Sequence, residues 1–247
     1  IIESVSGYAS DDDFLLVFSP ERVDEGNVLS GLESLPIVVG GSSEDAAQIA
    51  CQFWNESLGV DTIIVDDAKT AEMVKLSDNL WIDLNIALAN EIALLSDKLG
   101  IDANQVISAA NSLPKGQHHV NILYPSIGVG GYCLTKDPWF LHKIALENSV
   151  EMNTASTSRM VNDSMPKETV KRIVDYLPDG AKNKSKVAVL GVSFKANTGD
   201  MRNTPSIEIT KYIIVDFIKI LTIDAIIIPI RPIIKKEPSF VKSLFVV

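Results

Sequence analysis

The sequence predicts an α/β protein organised around one very long helix. Short apolar stretches at 14–18, 37–39 and 62–65 are rich in branched and aromatic residues and predict β-strands, with a helix between the last two. This order of strand, strand, helix and strand is typical of a layered α/β domain. Apolar residues then recur at helical spacing from Thr70 to Leu99, and Gly100 suits the position just after a helix end.

The second half of the chain continues the alternation of helices and strands. Asp102 suits the N-cap of a helix that ends at Ala110. A polar stretch at 148–158 precedes a further predicted helix over 167–176. The apolar run at 186–190 predicts a parallel-type strand, and it marks the start of a second α/β unit.

Composition excludes several classes of partner. The chain has 247 residues, and 22 basic against 32 acidic side chains give a net charge of −10. We therefore expect no nucleic-acid binding, because a phosphate backbone demands a basic stripe. The longest apolar region, 213–230, is interrupted by Asp216, Lys219 and Asp224, so it predicts no membrane span.

The cysteine and histidine pattern predicts neither a disulfide nor a metal site. Cys51 and Cys133 lie far apart without a CxxC pair, which favours a reducing, cytoplasmic setting. Cys51 lies among apolar residues at helical spacing, so we expect it in the core. His118 and His119 have no third ligand at helical spacing and are interpreted as a loop pair, with no zinc.

The segment 128–138 sets one cysteine in an unusual place. Its three glycines allow a tight turn, and Asp137 and Pro138 are predicted as the N-cap and first residue of a helix. Cys133 would then face the positive end of that helix, which together with Lys136 favours a reactive thiolate. The alternative is a buried apolar cysteine beside an ordinary turn.

Three polar pairs at four-residue spacing add to this segment. They are Glu21 and Glu25, Lys75 and Asn79, and Cys133 and Asp137. On a helix, this spacing places both side chains on one face, so Lys75 and Asn79 can reach the same bound molecule. Each pair taken singly is more typical of a solvated surface, and it is their combination that indicates a site.

Five motifs occur in a characteristic order along the chain. They are 19–22 with Glu25 and Gly26, 71–76 with Asn79, Asn90 with Glu91, 128–138, and 190–195 continuing through Arg202 and Pro205. In this order the chain resembles the nucleotide-sugar 6-dehydrogenase family, which includes UDP-glucose and UDP-N-acetylhexosamine dehydrogenases. The resemblance extends from about Ser19 to Ile209.

The resemblance implies a division into three parts. Residues 1–67 would be the end of an N-terminal, Rossmann-like NAD-binding domain. Residues 68–165 would be a central helical domain with the cysteine segment. Apolar residues on more than one face of its long helix, such as Leu84, Leu88 and Ile92, predict a homodimer formed through this helix. Residues 166–247 would be part of a C-terminal, Rossmann-like UDP-sugar-binding domain. Because the family begins with a βαβ unit carrying a GxGxxG turn, which this sequence lacks, we expect the chain to be an incomplete enzyme.

The same resemblance implies a four-electron, NAD-dependent oxidation of a UDP-sugar at C6. Cys133 would add to the intermediate aldehyde and carry it to a thioester, which water hydrolyses. Lys75 would stabilise negative charge on oxygen, Asn79 would supply another hydrogen bond, and Asp137 would orient or deprotonate water. Glu21 would lie at the sugar.

Further residues are assigned to the ligands by the resemblance. Implied substrate-binding residues are Tyr124, Ser126, Gly128, Gly130 and Gly131 in a loop around the diphosphate, and Lys195. Implied cofactor-binding residues are Glu25, Lys136 and Arg202.

The substrate is expected to be a UDP-N-acetylhexosamine, with UDP-N-acetyl-D-mannosamine first, because 21–23, 71–76, 83–87 and 137–140 resemble that branch. Tyr132 is instead similar to some UDP-glucose enzymes, so UDP-glucose 6-dehydrogenase stays open. An inactive UDP-sugar-binding or dimerisation fragment is a second alternative. A thiol acyltransferase is a third, although no histidine base lies beside Cys133 in the sequence.

Overall fold

The computed structural model describes residues 1–23, 28–116, 118–177 and 187–217. It divides into two compact units, Ile1–Asn79 and Leu80–Val247. The first contains a small sheet, and the described part of the second is dominated by helices. The α/β class is confirmed, whereas the three-part division at 67 and 165 stays a prediction.

The first unit contains a three-stranded sheet with β2 at its centre. Its elements are α1 (Ile2–Ser6), β1 (Val17–Phe18), α2 (Val28–Ser34), β2 (Ile37–Gly41), α3 (Glu44–Leu58) and β3 (Thr62–Val65). Strand β2 pairs antiparallel with β1 and parallel with β3, Ile37 lying opposite Thr62. The predicted order of strands and of the helix between them is correct, but β1 is shorter than expected and helices α1 and α2 were not predicted.

Helix α3 crosses between the two parallel strands. The Ser43 side chain caps it by accepting a hydrogen bond from the backbone N–H of Ala46, and Gly59 ends it with φ at 67°. Ala46 and Ala47 are its buried residues. The sequence predicted that Cys51 lies in the core, but Cys51 is only half-buried.

Helix α4 (Ala68–Leu99) is the long helix that the sequence predicted. Asp67 caps its start, because its carboxylate accepts hydrogen bonds from the Thr70 backbone N–H and hydroxyl at 2.8 Å each. These bonds hold the pKa of Asp67 below its usual value. Gly100 ends the helix with φ at 67°, and the Ile101 N–H bonds back to the Ser96 carbonyl.

The second unit continues from α4 with helices and one short hairpin. Its elements are α5 (Ala103–Ala110), β4 (Pro114–Lys115), β5 (His118–His119), α6 (Cys133–Glu147), α7 (Asn153–Asp175) and α8 (Pro205–Phe217). Asp102 caps α5 as predicted, accepting from the Asn104 N–H at 2.8 Å. The two histidines lie exposed on β5.

Two expectations for this unit are wrong. Helix α7 begins at Asn153, inside the stretch interpreted as a polar connection, and it continues past residue 165. Its buried residues include Ser158, Arg159 and Asn162, so a search for hydrophobic periodicity does not detect its buried face. Residues 187–190 form no strand within the described chain, and Lys186 and the segment 218–247 lie outside the described residues.

Among the helices that the structure describes, none is long and apolar enough to cross a membrane.

Candidate functional site

In the first unit, the structure brings Glu21 and Lys75 together. The Lys75 ammonium lies 3.6 Å from a Glu21 carboxylate oxygen, and the other oxygen accepts the Val23 N–H. Arg22 supports the same segment by donating to the Pro36 carbonyl at 2.6 Å and by pairing with Asp78 at 3.5 Å. The segment after Pro20 is therefore tied to the first turns of α4.

Asn79 lies one turn beyond Lys75 on α4, as its spacing predicted, and it is 7% exposed. Glu21 also lines a cavity of about 240 Å³ with Pro36 and Trp54. Glu25, the remaining candidate in this region, lies outside the described residues.

In the second unit, Cys133 is the first residue of α6 rather than a residue before it. The prediction that Asp137 caps this helix and Pro138 opens it is wrong, because both lie inside the helix and are buried. The first turn is held by bonds from its surroundings. The hydroxyl of Thr135 donates to the Gly131 carbonyl at 2.6 Å, and the Asn203 amide donates to the same carbonyl at 3.1 Å.

Cys133 and Asp137 both lie in α6, so their four-residue spacing places them one helical turn apart. Cys133 is half-buried, and Asp137, one turn later, is 3% exposed. The ammonium of Lys136 lies 2.5 Å from Asp137 and also 4.9 Å from the centre of the Phe140 ring. A thiol with a buried carboxylate one turn away can combine a nucleophile with a group that accepts a proton from water.

The glycine loop, residues 128–131, packs against the segment 194–205. The Gly131 N–H donates to the Arg202 carbonyl at 2.8 Å, and the Arg202 guanidinium stacks 4.7 Å over the Tyr132 ring. Gly128 has φ at 135°, and a Cβ there would lie 3.1 Å from Pro205. Lys195 is half-buried and follows the packed Phe194 directly in the chain. Two motifs that are distant in sequence thus form one surface.

Arg202 is anchored by Asp200. The guanidinium bonds to both carboxylate oxygens of Asp200, and the Arg202 N–H donates to one of them at 2.9 Å. These hydrogen bonds hold the pKa of Asp200 below its usual value. The arrangement fixes a cation that remains 48% exposed beside the turn bearing Cys133.

A buried polar network, which was not predicted from the sequence, supports the glycine loop. It consists of Asp83, Asn90, Ser158, Arg159 and Asn162, each at most 1% exposed. Asn90 accepts the Ser126 N–H at 2.7 Å and donates to Asn162 at 3.0 Å. Asp83 in turn accepts from Asn162 at 2.8 Å, Ser158 at 2.7 Å and Arg159 at 2.6 Å.

Ser126 joins this network to the loop, because its hydroxyl donates to the Gly128 carbonyl at 2.9 Å. The sequence does contain a pattern that predicts this network: polar side chains recur at helical spacing, Asp83 with Asn90 on α4 and Ser158 with Asn162 on α7.

Two further cavities lie in the second unit. Tyr124 is 62% exposed and borders a groove of about 500 Å³ with Asn104 and Ser108. Thr135, Asn203 and Glu208 line another cavity of about 430 Å³. Its wall also contains Arg159, which pairs with Asp163. Across the described ranges, no group of three or more metal-ligating side chains occurs.

The fold and this site define an α/β protein whose helical unit presents a cysteine at a helix start beside a glycine loop. Residues 69–164 match the model of the UDP-glucose/GDP-mannose dehydrogenase family, central domain. This match confirms the resemblance stated from the motifs.

Individual relatives agree. The chain is 38% identical to UDP-N-acetyl-D-mannosamine dehydrogenase of Methanocaldococcus jannaschii, over 83% of this chain and 45% of the relative. It is also 38% identical to NDP-N-acetyl-D-galactosaminuronic acid dehydrogenase of Ralstonia solanacearum, over 81% of this chain and 45% of the relative.

Among solved structures, UDP-D-ManNAc dehydrogenase of Pyrococcus horikoshii aligns with a TM-score of 0.79 at 33% identity, covering 87% of this chain and 50% of that one. The chain thus spans about half the length of the curated relatives it matches.

Proposed function

We propose that this chain supplies the substrate-binding residues and the reactive thiol of an NAD-dependent UDP-sugar 6-dehydrogenase. Its proposed substrate is a UDP-N-acetylhexosamine, with UDP-N-acetyl-D-mannosamine as the first choice. The observation that carries the proposal is the start of α6, where half-buried Cys133 precedes buried Asp137 by one turn and adjoins the glycine loop. The names of the relatives support the choice of substrate.

The proposed reaction oxidises the sugar C6 alcohol in two steps. The first oxidation removes a hydride and a proton and leaves an aldehyde. The sulfur of Cys133 adds to the aldehyde carbon, and the carbonyl oxygen takes up a proton to give a thiohemiacetal. The second oxidation removes another hydride and proton and leaves a thioester. Water attacks the thioester, Asp137 accepts its proton, and the carboxylate leaves as the thiol re-forms.

Substrate binding is assigned to the glycine loop and its neighbours. Backbone N–H groups in a glycine-rich turn suit diphosphate oxygens, because the backbone can approach closely where no Cβ intervenes. The proposed substrate-binding residues are Tyr124, Ser126, Gly128, Gly130, Gly131 and Lys195.

Lys75 is proposed to stabilise negative charge that develops on oxygen. Its pairing with Glu21 supports a charged, oriented ammonium rather than a freely moving surface side chain. Asn79 is proposed to donate a further hydrogen bond, and Glu21 to contact the sugar.

Two cations beside the cysteine fit a phosphate-bearing cofactor. Lys136 is 51% exposed and Arg202 is 48% exposed, and we propose that both contact NAD⁺ together with Glu25. When bound, NAD⁺ accepts the hydride of each oxidation. The sequence contains no GxGxxG turn, so this chain supplies only part of an NAD⁺ site.

Two alternatives have specific observations in their favour. Tyr132, stacked under Arg202, favours UDP-glucose as the substrate, since the sequence is similar to UDP-glucose enzymes at this position. The long helix α4 and the glycine loop favour a UDP-sugar-binding or dimerisation role without turnover.

We also propose a homodimer formed through α4. Large apolar residues remain exposed along one stripe of this helix at spacings of three, four and seven residues: Trp81, Leu84, Leu88, Leu95 and Leu99. A contiguous apolar stripe of this kind is typical of a surface that another protein covers. Sedimentation equilibrium tests this directly, and a monomer at micromolar concentration would contradict it.

The first test of the proposed function is calorimetric titration of the chain with UDP-N-acetylmannosamine, UDP-N-acetylglucosamine and UDP-glucose, with NADH formation measured in parallel. Binding together with NADH formation supports the enzyme. Binding without NADH supports the binding role for this chain, and the preferred sugar identifies the branch. Absence of binding to all three would contradict every UDP-sugar hypothesis.

A second test examines the thiol without the cofactor. A UDP-sugar bearing an aldehyde at C6 should form a reversible adduct at Cys133 that native mass spectrometry detects. The adduct should be lost in Cys133→Ser and retained in Cys51→Ser, which removes the other half-buried cysteine as a matched control. Equal adduct formation in all three proteins would reject Cys133 as the nucleophile.

A further inference from the structure

The Leu134 carbonyl lies in the first turn of α6 and lacks the usual α-helical bond from its own helix. In an α-helix, each carbonyl accepts the N–H of the residue four positions later. For Leu134 that residue is Pro138, which has no N–H. Pro138 is fully buried inside α6, so water is a poor substitute donor on that side.

Arg159 of α7 supplies a donor to this carbonyl. Its Nη1 lies 3.3 Å from the Leu134 oxygen. We propose that Arg159 is a positioning residue for the turn that carries Cys133, because it replaces the hydrogen bond that Pro138 removes. The relevance of this contact to catalysis rests on the proposed function, whereas the contact itself does not.

The guanidinium is suited to this role because it is fixed from several directions. Arg159 is 1% exposed, and the same Nη1 donates to Asp83 at 2.6 Å while Nη2 pairs with Asp163. Asp83, itself 0% exposed, is oriented by Ser158 and Asn162. A planar guanidinium can serve these acceptors together, whereas the ammonium of a lysine is a single point of charge.

This arrangement leaves one donor of Arg159 unsatisfied, because its Nε is buried and has no hydrogen-bond partner among the described residues. A buried donor without a partner is unfavourable, so the orientation of the side chain is determined by the contacts of its two terminal nitrogens. One of those contacts is the Leu134 carbonyl.

The same network also holds the glycine loop. Asn162 links Asp83 to Asn90, and Asn90 accepts the N–H of Ser126 ahead of the loop. Arg159 thus ties the first turn of α6 to the polar core that anchors Ser126. The same buried network therefore contacts both the turn that carries Cys133 and the segment that leads into the proposed diphosphate-binding loop.

The test removes the donor at Arg159 and then restores a backbone donor by replacing Pro138. Arg159→Lys keeps a charge for Asp83 but should leave the Leu134 carbonyl without its donor. Pro138→Ala restores a backbone N–H that can bond to the same carbonyl. Hydrogen exchange measured by mass spectrometry over residues 132–142 should be roughly three- to ten-fold faster in Arg159→Lys, the effect of losing one hydrogen bond. In the double variant it should return to within about two-fold of the parent.

Cys133 provides the second readout. Alkylation by iodoacetamide, quantified for each cysteine by peptide mapping, should accelerate in Arg159→Lys and recover in the double variant, because a frayed turn exposes a half-buried thiol more often. Asp163→Asn is the matched control: it removes the charge of an Arg159 partner that is 60% exposed, and both rates should stay at the parental value.

Additive effects of Arg159→Lys and Pro138→Ala, in variants that keep the parental circular dichroism, would overturn the proposal. Arg159 would then act only as the partner of Asp83. Neither readout uses NAD⁺ or a UDP-sugar, so this failure is distinguishable from failure of the proposed function.

Discussion

Gly130 lies directly against Phe194, at a distance that leaves no room for a side chain. A Cβ at position 130 would be 2.3 Å from the Cβ of Phe194 and 3.1 Å from the Asn203 carbonyl oxygen. The glycine here is required by the approach of a distant segment, since its φ is not in the left-handed region. The cysteine-bearing motif and the motif at 190–205 are therefore coupled by contact.

Gly130→Ala should separate these two segments. Overpacking of this kind costs roughly 1–3 kcal/mol, and we expect a lower midpoint of thermal unfolding by calorimetry. Gly199→Ala is the matched control, because a Cβ there has no neighbour within 4 Å among the described atoms. Equal unfolding midpoints for both variants would mean that the loop does not pack on Phe194 in solution.

Asn90→Ala should destabilise the loop through the network beneath it. The Ser126 N–H and the Asn162 side chain would each lose a partner, and such losses cost about 1–3 kcal/mol per buried group. Urea unfolding followed by circular dichroism measures the total. Asn121→Ala replaces an exposed asparagine and should change the free energy of unfolding little; comparable losses in the two variants would contradict the assignment.

The Asp83–Arg159 pair should show strong coupling in a double-mutant cycle. Arg159→Met leaves Asp83 buried without its cation, which should cost roughly 3–5 kcal/mol of unfolding free energy. The double variant Asp83→Leu with Arg159→Met should recover part of this loss, because no charge is then left unpaired. Equal losses in the single and double variants would show that packing volume, and not charge pairing, determines the stability here.

The Asp200–Arg202 pair should weaken in acid. The hydrogen bonds from Arg202 hold the pKa of Asp200 below 3.8, so the folded state favours the charged carboxylate. Its contribution to stability is therefore present above pH 3.8 and is lost as the pH falls through the lower folded pKa. A carbon NMR titration of the Asp200 carboxyl should give a midpoint below 3.8 that rises in Arg202→Gln. An unchanged midpoint in that variant would remove Arg202 as the cause.

Cys133→Ser should block the second oxidation in the assembled enzyme. A serine hydroxyl is a much weaker nucleophile than a thiolate, so the uronate should not form, while UDP-sugar affinity should stay near the parental value. The measurement combines uronate detection by mass spectrometry with calorimetric binding. Release of uronate by the variant at the parental rate would refute the thioester mechanism.

Several local features were predictable because their determinants are close in sequence. The extent of α4 follows from apolar spacing and from Gly100, and Asp102 caps α5 through a side chain two residues from the N–H it accepts. The spacing of Lys75 and Asn79 correctly indicated that both lie on one helix, a turn apart. The resemblance to the dehydrogenase family was likewise readable, because the order of five motifs is a property of the linear chain.

The start of α6 was mispredicted because the relevant contacts come from elsewhere in the chain. Asp137 and Pro138 have the sequence pattern of a helix start, but Asn203 and Arg159 supply the donors that let the helix begin earlier, at Cys133. The beginning of α7 was missed because its buried face is polar, and such a face is stable only when partners such as Asp83 satisfy it.

By itself, the sequence determined the α/β class, the long helix, the resemblance to the family and the chemistry-bearing residue types. Propensity and capping act over a few neighbouring residues, and motif order is a property of the linear chain, so all three can be read from the sequence. The tertiary structure alone decided which glycines are packed, which polar side chains are buried, and which donor replaces the N–H that Pro138 lacks. Those outcomes depend on contacts between residues far apart in sequence, where burial makes an unsatisfied polar group too costly to leave without a partner.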